Sequence, residues 1–264
     1  MYRRVRPLGR GYFGEVWLAR DMGLGRLCAA KYLNGPGSGS VNGPLNPFAE
    51  ARSMLRAEHD HVVQVFSAEI EGGTPVIRME YLPDGSVADK HGSRPRPVAV
   101  ATSVIEDACR GLECLHTRNL LHRDPQASQS DGDPDRTVKV SDFGLACRPD
   151  QAAQAPIGYM PHMSPEAPPD PGYIESVVGD IYATGVTLCR PLTGDSFLAA
   201  ALTATPVQLQ SLIASGVLPP RDAFGIHVHD GVRRVARRAM HLDPTKRFQT
   251  EMRHSVESAR RRVS

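Results

Sequence analysis

Hydrophobic and polar positions alternate along the first third of the chain, the pattern of strands with one buried face. Residues 2–33 also carry glycines at a turn and predict a β-hairpin followed by a further strand. Two more strands are predicted at residues 62–66 and 75–81. Between them and the hairpin, residues 48–58 predict a short helix, because an asparagine-proline pair supplies an N-cap and a first helical residue.

The remainder of the chain has the periodicity of helices. From Val98 to Leu115, apolar residues recur at spacings of three and four, which predicts an amphipathic helix. Two further helices are predicted near residues 176–193 and 230–242. A strand-rich first part and a helical second part predict an α+β fold with two lobes, residues 1–83 and 84–264.

Composition narrows the class of protein. The 264 residues are 41% hydrophobic and 23% charged, as in an ordinary globular domain, and the net charge of +2 does not favour nucleic-acid binding. No run of 18 apolar residues predicts a membrane segment, and the basic N-terminus has no apolar stretch typical of a secretory signal, so we expect a cytoplasmic protein. The five cysteines include no C-x-x-C pair, which favours reduced, buried thiols.

A glycine-rich segment is the first candidate for chemistry. Residues 9–16, GRGYFGEV, fit the pattern G-x-G-x-x-G-x-V, in which glycines let the backbone approach phosphate oxygens closely. The alternative is an ordinary turn of a hairpin. A dinucleotide-binding fold is excluded, because strands rather than a helix are predicted after the glycines.

A single lysine in an apolar segment is the second candidate. Lys31 lies within residues 28–33, where an unpaired ammonium group would be costly to bury. Only four of the 31 basic residues are lysines, so each is more informative than usual. Glu50, near the start of the predicted helix, is the candidate partner, although its position alone favours a solvated charge.

Two short motifs then point to a family. HRD stands at residues 122–124 and DFG at residues 142–144. With the glycine-rich segment and Lys31, they make the chain from about residue 3 to residue 250 resemble a eukaryotic-type protein kinase domain, similar to bacterial Ser/Thr kinases. Further matching landmarks follow in the family's order: MEYLPDGS at 79–86, SPE at 164–166, Asp180 and Arg247.

The resemblance implies a bilobal α+β fold that binds ATP in its cleft and transfers the γ-phosphoryl group to a protein hydroxyl. Lys31 would hold the α- and β-phosphates, Glu50 would fix Lys31, and Asp124 would accept or orient the substrate proton. Asp142 and Gln129 would bind Mg²⁺, or Mn²⁺ in its place. The nucleotide would be lined by Leu8, Gly9, Arg10, Gly11, Gly14, Val16, Ala29, Lys31, the gatekeeper Met79, Glu80 and Leu82. Glu166 would pair with Arg247.

The sequence departs from the family in the catalytic loop and the activation segment. Gln126 stands where Ser/Thr kinases carry a lysine, and Gln129 replaces an asparagine that binds metal. Asp131 stands in a segment, residues 130–132, that forms an apolar strand below adenine in the family. Residues 145–163 contain no serine or threonine, and Tyr159 replaces a threonine that contacts the catalytic aspartate.

These departures leave alternatives open. The first is an ATP- and Mg²⁺-dependent Ser/Thr protein kinase, the second a pseudokinase that acts as a scaffold or allosteric partner, and the third a kinase of small molecules. The landmarks at SPE, Asp180 and Arg247 argue against the third, because they build a platform for protein substrates. The arginine rows at residues 233–238 are interpreted as a solvated helix face rather than a nucleic-acid patch. The protein substrate and the oligomeric state stay undetermined.

Overall fold

The structure of the chain is a computed structural model. It describes residues 1–11, 14–33, 51–52, 55–83, 85, 95–123, 126–128, 137–141, 160–167, 176–194, 201, 203–250 and 252–262. Residues 51–52 and 55–56 are helical, within the helix predicted at 48–58. Residues 48–50 and 53–54 of that prediction lie outside this description.

A five-stranded antiparallel sheet forms the first lobe, with strand order β1-β2-β3-β5-β4. Its strands are β1 (Tyr2–Gly11), β2 (Gly14–Asp21), β3 (Leu27–Leu33), β4 (Val65–Glu71) and β5 (Thr74–Met79). The predicted hairpin is confirmed, with Gly11 opposite Gly14 at its turn. Every residue of β3 except the first is buried, because this strand lies between two others in the sheet.

The prediction of a strand at residues 62–66 was wrong in its bounds. β4 begins only at Val65 and continues to Glu71. Residues 61–63 pair instead with a short strand of the second lobe, through an isolated parallel bridge between Val62 and Val140. The amide of Val63 donates to the carbonyl oxygen of Val140 at 3.0 Å.

A two-stranded antiparallel sheet lies in the second lobe. β6 (Gln126–Ser128) pairs with β7 (Lys139–Ser141), with Gln126 opposite Ser141. The resemblance placed Gln126 in the catalytic loop and a strand at residues 130–132. The backbone of Gln126 is instead already part of a strand, and residues 130–132 lie outside the description.

Five helices complete the described part of the second lobe: α1 (Val98–Thr117), α2 (Val177–Thr193), α3 (Pro206–Ala214), α4 (Asp230–Ala239) and α5 (Arg253–Arg260). The predictions of α1, α2 and α4 are confirmed, whereas α3 and α5 were not predicted. Side chains cap three of these N-termini: Ser176 accepts from the amide of Gly179, Thr205 forms a capping box with Gln208, and His229 accepts from the amide of Gly231.

Helix α1 packs closely against the first lobe. Its buried residues Val104, Ala108 and Leu112 join the same hydrophobic cluster as Ile77 of β5. Gly111 permits this approach, since a Cβ atom there would overlap the carbonyl oxygen of His61. Helix α1 therefore packs against both residues 57–65 and the sheet through this shared cluster.

Buried thiols and the lack of an apolar span complete the fold. The four described cysteines (Cys28, Cys109, Cys114 and Cys189) are free and buried, as expected from their spacing. Burial raises the pKa of Cys109 to about 12, so this thiol stays protonated and unreactive. None of the helices in the described ranges combines the length and apolarity that a membrane span requires.

Candidate active site

Glycines stand at the paired ends of β1 and β2, where Gly11 lies opposite Gly14. Gly14 has a φ of +148°, and a Cβ atom there would overlap the carbonyl oxygen of Tyr32 on β3. A glycine is therefore required for β2 to begin this close to β3. Beside the turn, Arg10 of β1 lies opposite Glu15 of β2, and their side chains form an ion pair at 3.4 Å.

Lys31 occupies the centre of the sheet. It lies on β3 between Val16 of β2 and Ile77 of β5, and only 6% of its surface is exposed. A buried ammonium group in this position requires anionic or hydrogen-bonding neighbours. The predicted partner Glu50 lies outside the described residues.

An apolar cluster lies on the same face of the sheet as this lysine, because Val16 and Ile77, which pair with Lys31, both belong to it. Ala29 of β3 lies opposite Met79 of β5, and both are buried in one hydrophobic cluster. Leu8, Val16 and Leu82 pack against the same cluster and are only partly buried. The structure thus brings together the five apolar side chains that the sequence predicted to line a nucleotide. Gly9, Arg10 and Gly11 lie on β1, with Gly11 at the adjoining turn.

The segment after β5 is fixed by its own hydrogen bonds. The amide of Glu80 donates to the carbonyl oxygen of Gln64 at 2.8 Å. The Glu80 carboxylate accepts from the Lys139 ammonium group at 2.8 Å and from the Gln64 amide at 3.3 Å. Sequence reasoning missed Lys139 as a site residue. Its rarity as a lysine, three residues before Asp142, was the available signal.

A buried carboxylate anchors the HRD turn. The backbone amides of His122 and Arg123 donate to the two oxygens of Asp180, at 2.8 and 2.7 Å. The His116 ring nitrogen lies 2.9 Å from the same carboxylate. Arg123 adopts a φ of +72°, in the left-handed region that a non-glycine residue rarely occupies. Asp180 is therefore a positioning residue for the turn that precedes Asp124.

The surroundings of Asp180 keep it ionised. Burial raises the pKa of this carboxyl group, but the hydrogen bond and charge of His116, with the charge and amide of His122, outweigh burial. The net result is a pKa below the ordinary value. His122 is held on its other side as well, because its Nε2 lies 3.0 Å from the carbonyl oxygen of Ser141 on β7.

The predicted ion pair between Glu166 and Arg247 is confirmed. The guanidinium group of Arg247 donates two parallel hydrogen bonds of 2.6 Å to the two carboxylate oxygens. Arg247 is fully buried and also donates to the carbonyl oxygen of His241 at 2.7 Å. This ion pair joins residues 164–166, which precede α2, to the loop between α4 and α5.

Several expected residues lie outside the described part of the chain: Glu50, Asp124, Gln129, Asp131, Asp142 and Tyr159. Their assigned roles stay predictions. Within the described ranges, no group of three His, Cys, Asp or Glu side chains is arranged to hold a metal ion.

The fold and this site together define a class of protein. An antiparallel sheet with a buried lysine and an apolar cluster packs against a helical lobe whose HRD turn is anchored by a buried aspartate. This is the bilobal α+β architecture of kinases. The chain belongs to the protein kinase domain family, whose sequence model it matches over residues 2–257.

Similar proteins carry the same family name. The Serine/threonine-protein kinase PknB of Mycobacterium leprae is 30% identical over 254 residues, 92% of this chain and 40% of that protein. Pkn1 of Myxococcus xanthus is 30% identical over 218 residues, 77% of this chain and 31% of that protein. PknB of Mycobacterium tuberculosis strain H37Ra is 32% identical over 199 residues, 71% of this chain and 32% of that protein. The chain thus spans less than half the length of these relatives.

Proposed function

We propose that this chain transfers the γ-phosphoryl group of ATP to Ser or Thr hydroxyls of protein substrates. The observation that carries the proposal is the convergence of a buried lysine, Lys31, with an apolar cluster on the same face of a sheet. The Ser/Thr specificity is proposed from the relatives, which are named Serine/threonine-protein kinases. The division into lobes at residues 1–83 and 84–264 is part of the same proposal.

The first lobe would bind the nucleotide. Its apolar cluster would contact the faces of a purine, and the ammonium group of Lys31 would neutralise α- and β-phosphate oxygens in a setting with little water. The Glu80 amide is already bonded to Gln64, so the base would meet the carbonyl oxygen of Glu80 and the backbone of Leu82 instead. The glycine-rich turn would place its backbone over the phosphates.

The second lobe would orient the hydroxyl group that is phosphorylated. Asp124, the proposed acceptor of its proton, directly follows Arg123, whose amide is fixed by Asp180. Positioning is a large share of the rate in phosphoryl transfer, so a rigid turn before Asp124 has a direct catalytic purpose.

A divalent cation completes the proposal. Asp142 and Gln129 offer carboxylate and amide oxygens, the hard ligands that Mg²⁺ or Mn²⁺ prefers. When bound, the cation would neutralise charge on the β- and γ-phosphates. The longer side chain of Gln129 places its oxygen one methylene further from the backbone than asparagine does, which is unfavourable for the strict geometry of Mg²⁺.

A pseudokinase is the second candidate. It is favoured by the placement of Gln126 in β6, since the residue at this position in an active Ser/Thr kinase is a loop lysine near the γ-phosphate. In that case the chain would act as a scaffold or allosteric partner.

Transfer of labelled γ-phosphate separates the two candidates. The assay supplies Mg²⁺- or Mn²⁺-ATP and a basic test protein to the wild type and to the Lys31→Ala and Asp124→Asn variants. A kinase loses label in both variants, but keeps it in Lys246→Ala, a matched control whose exposed lysine lies in a short helical turn far along the chain. Absence of label from folded wild-type protein supports the pseudokinase instead.

A further inference from the structure

A basic concavity lies between α4 and α5, in the second lobe. It encloses about 460 Å³ and is lined by Gly231, Arg234, Val235, Arg238, Phe248, His254, Ser255, Ser258, Ala259 and Arg262. Three arginines and two hydroxyl groups thus face one space, and none of its ten lining residues is an aspartate or glutamate. The concavity has the composition of an anion site.

The arginines around it divide into two sets. Five arginines on or beside α4 and α5 have a carboxylate partner within 3.4 Å: Arg233 with Asp230, Arg237 with Asp222, Arg253 with Glu113, Arg260 with Glu106, and Arg261 with Glu257. Among the described residues, the arginines here without a carboxylate partner are Arg234, Arg238 and Arg262. These are the three that line the concavity.

One of the three is held in place by an aromatic ring. The guanidinium group of Arg238 lies 4.2 Å from the centre of the Phe248 ring. Stacking leaves the N–H groups at the edge of the guanidinium plane available and limits the entropy lost when they bind a ligand. Phe248, with Val235 and Ala259, also gives the concavity an apolar wall.

We propose that this concavity binds a phosphorylated segment of a protein. A phosphoserine or phosphothreonine carries about −1.5 to −2 charges and three acceptor oxygens, which match three guanidinium groups better than a single carboxylate does. Ser255 and Ser258 add hydroxyl donors, and the apolar wall accepts a neighbouring side chain of the segment. The concavity lies apart from the proposed nucleotide site of the first lobe, and the proposal does not depend on the proposed phosphotransfer.

The distribution of charge favours one phosphate group over a nucleic-acid strand. A strand needs a basic track along which successive phosphates bind. The arginines that flank the concavity form ion pairs with Asp222, Asp230 and Glu257. Among the described residues of this region, arginine charge without a carboxylate partner is therefore confined to the concavity itself.

A direct binding experiment tests the proposal in the absence of ATP. The probe is a fluorescein-labelled peptide library with one fixed phosphoserine and randomised flanks, and its unphosphorylated counterpart, measured by anisotropy at low ionic strength. We expect the phosphorylated library to bind about tenfold tighter or more, because the unphosphorylated library lacks the charged acceptor oxygens that the guanidinium groups would bind. Higher salt should weaken it.

Matched variants locate the binding. Arg234→Gln and Arg262→Gln should each weaken phosphopeptide binding about 5- to 10-fold. Arg237→Gln, three residues from Arg234 on the same helix but paired with Asp222, should leave it unchanged. Arg238→Lys keeps the charge but loses the planar fork, and should also weaken binding. Equal melting temperatures would show that all four variants fold.

Three results would overturn the proposal. They are equal binding of the two libraries, insensitivity of phosphopeptide binding to the changes at Arg234 and Arg262, and tighter binding of a single-stranded oligonucleotide with the same sensitivity. The last result would assign the concavity to nucleic acid. Because no ATP is supplied, none of these outcomes depends on whether the chain transfers phosphate.

Discussion

The ion pair between Glu166 and Arg247 offers a quantitative test of how burial sets the energy of an interaction. Its N–O distance is 2.6 Å, the same as in the pair of Arg237 with Asp222. The two pairs differ in exposure: the side chains of Arg247 and Glu166 are 0% and 26% exposed, those of Arg237 and Asp222 47% and 82%. Distance alone predicts equal energies, whereas desolvation predicts very different ones.

Glu166→Gln should destabilise the fold by about 3 kcal/mol. Removing one partner of a buried ion pair costs about 3–5 kcal/mol, since the remaining charge stays desolvated. The lower figure applies because Arg247 keeps a hydrogen bond to the carbonyl oxygen of His241 and glutamine still accepts one. For a chain of this size, that corresponds to a fall of about 6–12 °C in melting temperature.

Asp222→Asn is the matched control. An exposed ion pair contributes less than about 1 kcal/mol, so this variant should melt within a few degrees of the wild type. Urea unfolding followed by circular dichroism measures both free energies of unfolding. Equal losses in the two variants would refute the argument from burial. Replacing Glu166 and Arg247 together by leucine and methionine should recover much of the loss, because no buried charge then remains.

Three further predictions concern other parts of the site. Asp180 has a lowered pKa, so its charge stabilises the fold above about pH 4, the range of an unfolded aspartate, and this contribution is lost as the pH falls through the folded value. Asp180→Asn should therefore lower stability at pH 7 and flatten its decline below pH 4 in urea unfolding; an unchanged slope would contradict this. Gly111→Ala should cost about 1–3 kcal/mol by overpacking against His61, whereas Gly9→Ala, where a Cβ meets no atom within 4 Å, should not. Gln129→Asn should raise phosphotransfer or tighten Mg²⁺-ATP binding, and unchanged kinetics would count against the geometric argument.

Much of the fold could be predicted from the sequence where elements are long. Helices α1 and α2 have 20 and 17 residues, enough for a period of 3.6 to emerge. Helices α3 and α5 have nine and eight residues, too few for periodicity to separate them from loops. The early start predicted for β4 fails for a different reason, because pairing with Val140 draws residues 61–63 out of the sheet.

The candidate site shows the same division between local and distant information. Lys31 and the apolar side chains on its face of the sheet could be predicted, because family motifs mark each of these residues along the chain. The anchoring of Arg123 by Asp180 and the pairing of Glu80 with Lys139 were not predicted, because the motifs mark these residues without indicating which groups they bind. Such contacts arise from the packing of elements and leave no pattern in sequence spacing.

The bonds between Gln64 and Glu80 have a mechanical consequence. The chain runs between the helical lobe and the sheet at residues 63–65 and again after β5, and Gln64 and Glu80 join these two crossings by two hydrogen bonds. Because the two crossings are joined side by side, they resist shear and twist of one lobe relative to the other. They permit rotation of the lobes about the line that joins the two crossings. Lys139 of the helical lobe donates to Glu80 and so holds this rotation axis against the helical lobe. We expect opening and closing of the cleft to follow this single axis, with the glycine-rich turn travelling furthest because it lies at the far edge of the sheet.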